Sequence, residues 1–249
     1  MRTPGLGVRE DLGVITADSL ARFAAMLADR SRAGICLALL DRRAWTAGEL
    51  AQHVGIASST ASEHLTVLVA AGLLTEERAG RHRYLRLADH DSAQLVEDLA
   101  AAVGVPQQPS SLRAARATGQ LAAARTCYDH LAGGLGVALF DALVARELVD
   151  DRNGLALTPA GRAWFTDLAG AHVLQPVGTR PLLRTCLDWT ERRHHLGGSL
   201  GAAMCQQLLD QSWLTRTPRH RAVTLTQAGS RALTDLLGLD PHALRGSDS

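Results

Sequence analysis

Two short segments of this chain carry residue sets suited to metal binding or thiol chemistry: Arg125-Thr126-Cys127-Tyr128-Asp129-His130 and Arg184-Thr185-Cys186-Leu187-Asp188-Trp189. A thiolate beside imidazole and carboxylate groups is a donor set for zinc or a softer transition metal. His194 and His195 follow the second segment and add imidazoles. The candidate effector residues are therefore Cys127, Asp129, His130, Cys186, Asp188, His194 and His195. Other uses of the same residues stay open. With Arg125 and Arg184 lowering the thiol pKa, Cys127 and Cys186 would suit a redox sensor. Tyr128 and Trp189 could instead line a pocket for a small organic effector. Both cysteines could also be plain buried apolar residues, the commonest fate of a thiol. Cys36, within GICLALL, and Cys205, within AAMCQQLL, lie on apolar helical faces and read as core.

The elements that position these segments belong to an internal repeat. LGVALFDALVARELV at 135–149 matches LGAAMCQQLLDQSWL at 200–214, and LALTPAGRAWFTDLAG at 155–170 matches VTLTQAGSRALTDLLG at 223–238. RTCYDH at 125–130 likewise matches RTCLDW at 184–189, and the offset between copies grows from 59 to 65 to 68, so the second copy carries insertions, the Arg192–His195 stretch among them. Each copy is expected to run helix, helix, short hairpin, helix, over about 125–170 and 184–238, making two winged-helix-like halves. The hairpins fall at Val149–Leu157 and at Leu214–Leu225, around Thr217-Pro218-Arg219. Thr158-Pro159 is a helix start with proline at the first helical position. The helices before these hairpins lack a first turn rich in hydroxyls or arginine, so dimerisation or effector binding is expected here rather than DNA contact.

A second constellation lies between Thr46 and Asp89, and its order is helix, tight turn, helix, β-hairpin. Thr46 and Glu49 form the T-x-x-E pattern of a capping box. Gly55 supplies a turn residue able to take positive φ. Ala61, Leu65, Leu68, Val69 and Leu73 recur at helical spacing and should face inward. Ser58, Ser59, Thr60, Ser62, Glu63 and His64 are left on the first exposed turns of the second helix, where short polar side chains suit base edges and phosphates. Strands at Leu74–Arg78 and His82–Leu87 flank a tip at Ala79-Gly80-Arg81. Arg78, Arg81 and Arg83 are positioned to meet the DNA backbone. VPQQPSS at 105–111 reads as a linker. The chain divides into a DNA-binding and dimerisation domain at 1–103, a linker at 104–112 and a C-terminal domain at 113–249.

The stretches ELAQHVGI, SSTASEHLTVLVAAGLL at 58–74 and RAGRHRYLRL at 78–87 resemble the ArsR-type (arsenical-repressor) family of bacterial winged helix-turn-helix regulators. CYDHLAG at 127–133 and LDWTERR at 187–193 resemble an actinobacterial subgroup with a C-terminal extension. The resemblance implies a homodimeric repressor released by an inducer. It pairs through its first and last helices, about Asp18–Ala28 (Leu20, Phe23, Leu27) and Ser92–Val103 (Leu95, Val96, Leu99), and binds a pseudo-palindromic operator in double-stranded DNA. The metal sites known in the family do not carry over. The C-x-C pair is missing from ELAQHVGI, and Asp89-His90-Asp91 has no partner ligands about a dozen residues on, which leaves His90 as a solvated helix-start residue.

Composition narrows the classes. The chain has 249 residues, net charge +1, and only arginine as its basic side chain. Residues 1–103 carry 11 Arg against 13 Asp and Glu, so a DNA site must be a local patch, and a basic architectural protein is disfavoured. Dispersed cysteines without a CxxC pair and the lack of an apolar leader or spanning segment point to a cytoplasmic protein without a membrane partner. No catalytic motif survives inspection: Gly134-x-Gly136 lacks its third glycine at Leu139, so an enzyme is not expected. The expected fold is mainly α with small β-wings.

Overall fold

The computed structural model describes residues 16–80, 82–103, 111–175, 178–217 and 221–240. It divides into two compact units, Met1–Glu97 and Asp98–Ser249, with the division inside one helix.

The first unit begins with α1 (Ala17–Leu27) and α2 (Arg30–Leu39), each started by an N-cap side chain, Thr16 and Asp29. Strand β1 (Trp45–Thr46) leads into α3 (Ala47–Val54). The expected capping box is present: Glu49 N–H donates to Thr46 Oγ1 at 3.2 Å, and Thr46 N–H donates to Glu49 Oε2 at 2.7 Å. Gly55 ends α3 at φ 73°, where a side chain would be strained. Helix α4 (Ser58–Ala70) follows, then the wing strands β2 (Leu74–Ala79) and β3 (His82–Leu87), and α5 (His90–Val103). The antiparallel sheet has the order β1-β3-β2. Leu50, Ala61, Leu65, Leu68, Leu73 and Leu85 are fully buried, so the apolar spacing of α3 and α4 lies on one inward face as expected, with Val69 half-buried. Asp89 caps α5 by accepting from Ser92 N–H at 2.8 Å, which gives this residue of Asp89-His90-Asp91 a structural use. His90 is not solvated as expected; its ring nitrogens are buried.

After the end of α5 the second unit continues with α6 (Leu112–Ala123), and the expected linker at 104–112 lies almost wholly outside the described residues. Two copies of one pattern follow. The first is β4 (Arg125–Cys127), β5 (His130–Ala132), α7 (Gly133–Ala145), β6 (Val149–Asp150), β7 (Ala156–Leu157) and α8 (Pro159–Ala169). The second is β8 (Arg184–Leu187), β9 (His194–Gly197), α9 (Gly198–Asp210), β10 (Leu214–Arg216), β11 (Val223–Leu225) and α10 (Gln227–Leu237). Each copy is therefore hairpin, helix, hairpin, helix, which corrects the expected helix at 125–130 and the winged-helix order built on it. The RTC run pairs instead with His130–Ala132, and Tyr128 turns the chain at φ 55°. Both short strands are buried on both faces, so they lack the period-two alternation that marks a strand. The later hairpins and the capped start at Thr158-Pro159 are as expected, although Pro218 and Arg219 lie outside the described residues.

The copies interlock. Helix α7 packs on β9 of the other copy, α9 packs on β5, and β5 lies against β9. One apolar core, with Leu131, Leu135, Leu139, Phe165, Leu196, Leu200 and Leu208 fully buried, runs through both copies.

Candidate functional site

On the first unit, α4 presents the expected polar face. Ser58, Ser59, Thr60, Ser62 and Glu63 are exposed. The N-cap is Ala57, which offers no side-chain cap. Ser58 is thus the first helical residue rather than the cap. The opening N–H groups of the helix therefore receive no acceptor from the N-cap side chain. His64 departs from this face: it is partly buried, with Nε2 3.8 Å from an Asp29 carboxylate oxygen and Nδ1 3.4 Å from Arg32. On the wing, Arg78 is exposed and lies 3.9 Å from Glu76, and Arg83 is half-buried and ion-paired with the same Glu76 on the neighbouring strand. Arg81 lies outside the described residues.

In the second unit the structure brings together Cys127, His130, Cys186 and His195, all buried, with one ligand atom from each lying within 4.8 Å of all the others. Each hairpin contributes one cysteine and one histidine as a cross-strand pair, Cys127 with His130 and Cys186 with His195. The two sulfurs are 3.7 Å apart, a non-bonded distance. The imidazole rings stack at 5.1 Å between centroids. Nε2 of His130 and Nε2 of His195 are buried without a nitrogen or oxygen partner. His194 is exposed and does not join the group.

The two aspartates stand behind the histidines. Asp129 Oδ1 lies 3.2 Å from His130 Nδ1, and Asp188 Oδ2 lies 3.6 Å from His195 Nδ1. Each aspartate is held in turn by an arginine: Arg180 donates to Asp129 at 2.6 and 2.9 Å, and Arg125 donates to Asp188 at 2.9 Å. Burial works against the charge on both carboxylates, but these donors outweigh it and hold both well below the usual carboxylate range. Burial likewise opposes charge on His130, yet Asp129 and Cys186 raise it to about 9. The Cys186 thiol is lowered, first by its contact with Cys127 and then, against burial, by His130 and His195. The arginines therefore do not act on the thiols as expected. Arg125 serves Asp188 and stacks on Trp189, 4.5 Å from the ring centroid, while Arg184 pairs with Asp98 at 3.3 Å. By contrast, burial pushes the Cys36 thiol up to about 12, in keeping with a core residue, and Cys205 is also buried.

The pairing of His130 with His195 is absent from the RTCYDH/RTCLDW match, which sets His130 opposite Trp189. The missed signal is a second repeat, HLAGGLG at 130–136 and HLGGSLG at 195–201. The change of offset from 59 to 65 falls between cysteine and histidine, in the longer turn of the second hairpin. Arg180, the partner of Asp129, carried no sequence signal.

A helix-turn-helix domain family model matches residues 27–77. The HTH-type transcriptional regulator YdfF of Bacillus subtilis is 40% identical over 216 residues, 86% of this chain and 95% of that protein. The chain belongs to the ArsR-type family of helix-turn-helix transcription regulators. The regulator is also 38% identical over 81 residues to CmtR of Mycobacterium tuberculosis, 32% of this chain and 68% of that one. Among solved structures, the homodimeric winged helix-turn-helix domain of Mb0332 from Mycobacterium bovis is 28% identical, covering 37% of this chain and 90% of that one at a TM-score of 0.32. The YdfF match, at 216 residues, is longer than either unit of the regulator and so takes in part of both. These relatives are regulators and not enzymes. Among the described residues, no helix is long and apolar enough to cross a membrane.

Proposed function

We propose that the protein is a homodimeric repressor that reads a pseudo-palindromic operator with α4, one half-site per protomer, and is released by an effector held in its C-terminal unit. The observation that carries the reading is the first turn of α4, whose exposed hydroxyls sit at a helix start that the N-cap side chain does not cap. Such a helix start attracts phosphate and sets short side chains at base edges. Arg78 adds a positive charge on the wing. Leu20 of α1 is 62% exposed and Leu99 of α5 is 44% exposed, apolar surface of the kind a partner protomer covers.

The test uses DNA sites selected from a random pool by the intact protein, with binding measured by fluorescence anisotropy. Ser59→Ala and Ser62→Ala should each cost about 1 kcal/mol, roughly fivefold, on the selected site and little on random DNA. Equal weakening on both would remove α4 as the reading helix. Arg78→Ala should weaken selected and random DNA alike and lower the salt slope by about 1. An unchanged slope would take the wing off the DNA.

A further inference from the structure

We propose that Cys127, His130, Cys186 and His195 form a closed four-coordinate site for one divalent d10 metal ion per chain, of the zinc and cadmium class, which ties the two copies of the C-terminal unit together. The site is argued from the second unit alone and stands independently of the operator reading.

The donor set is two thiols and two imidazoles, the combination that selects zinc and its heavier relatives in tetrahedral geometry. Two sulfurs each about 2.3 Å from a tetrahedral ion sit about 3.8 Å apart, and the two thiols already stand 3.7 Å apart. The remaining separations, none above 4.8 Å, must close by up to about 1.5 Å around an ion.

A dry apolar cluster explains the geometry less well. Cys127 and Cys186 do pack with Ala132 in a small buried group. Two imidazole nitrogens aimed into such a group without a nitrogen or oxygen partner cost free energy, which an ion would recover. The carboxylates beside the rings give an independent reason. Asp129 lies 3.2 Å from His130 Nδ1 and Asp188 lies 3.6 Å from His195 Nδ1, the latter beyond hydrogen-bond reach, while the Nε2 atoms of both rings are buried without a nitrogen or oxygen partner. A carboxylate behind the far nitrogen is the usual support of a metal-bound histidine, because it fixes the ring and raises its basicity. All four ligands come from protein and all are buried, so no coordination position stays open for a reactant. The site therefore links structure rather than performing catalysis. Its ligands are separated by up to 68 residues, from Cys127 to His195, so one ion joins distant parts of the unit.

The experiment uses full-length, reduced protein stripped with a chelator and titrated with cadmium chloride, then with zinc chloride against a chromophoric competitor. A thiolate-to-cadmium charge-transfer absorption should rise linearly to one equivalent per chain, and the thermal midpoint should climb with metal concentration. Cys127→Ser/Cys186→Ser should abolish the absorption while Cys36 and Cys205 remain. His130→Gln/His195→Gln keeps both thiols and decides the matter if the cysteine variant fails to fold. It should lower affinity by at least the 10–100-fold expected on losing an outer partner. No saturable absorption in the parent protein, or absorption unchanged in whichever variant folds, would overturn the site.

Discussion

Arg125→Ala should destabilise the C-terminal unit by about 3–5 kcal/mol, the range for removing one partner of a buried ion pair. The Arg125 side chain is 1% exposed and that of Asp188 is fully buried, so neither charge has water to fall back on. The guanidinium also donates to Leu121 O at 3.0 Å and Thr190 Oγ1 at 3.1 Å, and it lies over Trp189. Truncation empties that volume and leaves Asp188 with its N–H donors from Gly133, Thr190 and Glu191 but without its guanidinium partner. Chemical denaturation of the chelated, reduced full chain measures the loss. Arg125→Met/Asp188→Asn should recover part of it, because no buried charge is then stranded. A change below about 1 kcal/mol for Arg125→Ala would mean that water reaches Asp188 and that the pair is not structural. The exposed Arg152–Asp150 pair is the control, since its guanidinium is 79% exposed, and Arg152→Ala should leave the midpoint where it is.

The second large effect is expected from one added methyl group. Gly136→Ala places a Cβ 2.6 Å from Leu131 O and 2.7 Å from Leu131 C, both backbone atoms of the hairpin that carries His130, and 3.6 Å from His195 Cβ. Backbone cannot swing aside as a flexible side chain can, so α7 and β5 must part. Overpacking of this kind costs about 1–3 kcal/mol, and more where nothing yields. Gly201 stands in the equivalent place, against Leu196 O and beside His130 Cβ, and its substitution should act alike. Gly119→Ala gives the opposite sign. It lies within α6 with nothing within 4 Å, so the added methyl should stabilise by about 0.5–1 kcal/mol through helix propensity alone. Thermal unfolding of the three variants checks both directions. If Gly136→Ala unfolds at the parent temperature, the close approach of α7 to its hairpin is wrong.

The sequence by itself determined the first unit almost completely. Thr46, Glu49, Gly55 and the inward leucines of α4 act through contacts three to five residues apart, and such short-range rules can be read without a fold. It also determined that the C-terminal half is a repeat, and it named every residue of the candidate metal centre. Only the tertiary structure decided which of those residues meet. Cys127 and His130 are neighbours through a tight hairpin too short and too buried to show strand periodicity, and His195 reaches them from a turn of different length in the other copy. The same packing withdrew His194 to solvent, committed Arg125 to Asp188 rather than to a thiol, and recruited Arg180 to Asp129. Those outcomes depend on how α7 and α9 cross onto each other's hairpins. That is a long-range apolar packing problem, and local spacing along the chain carries no record of its solution.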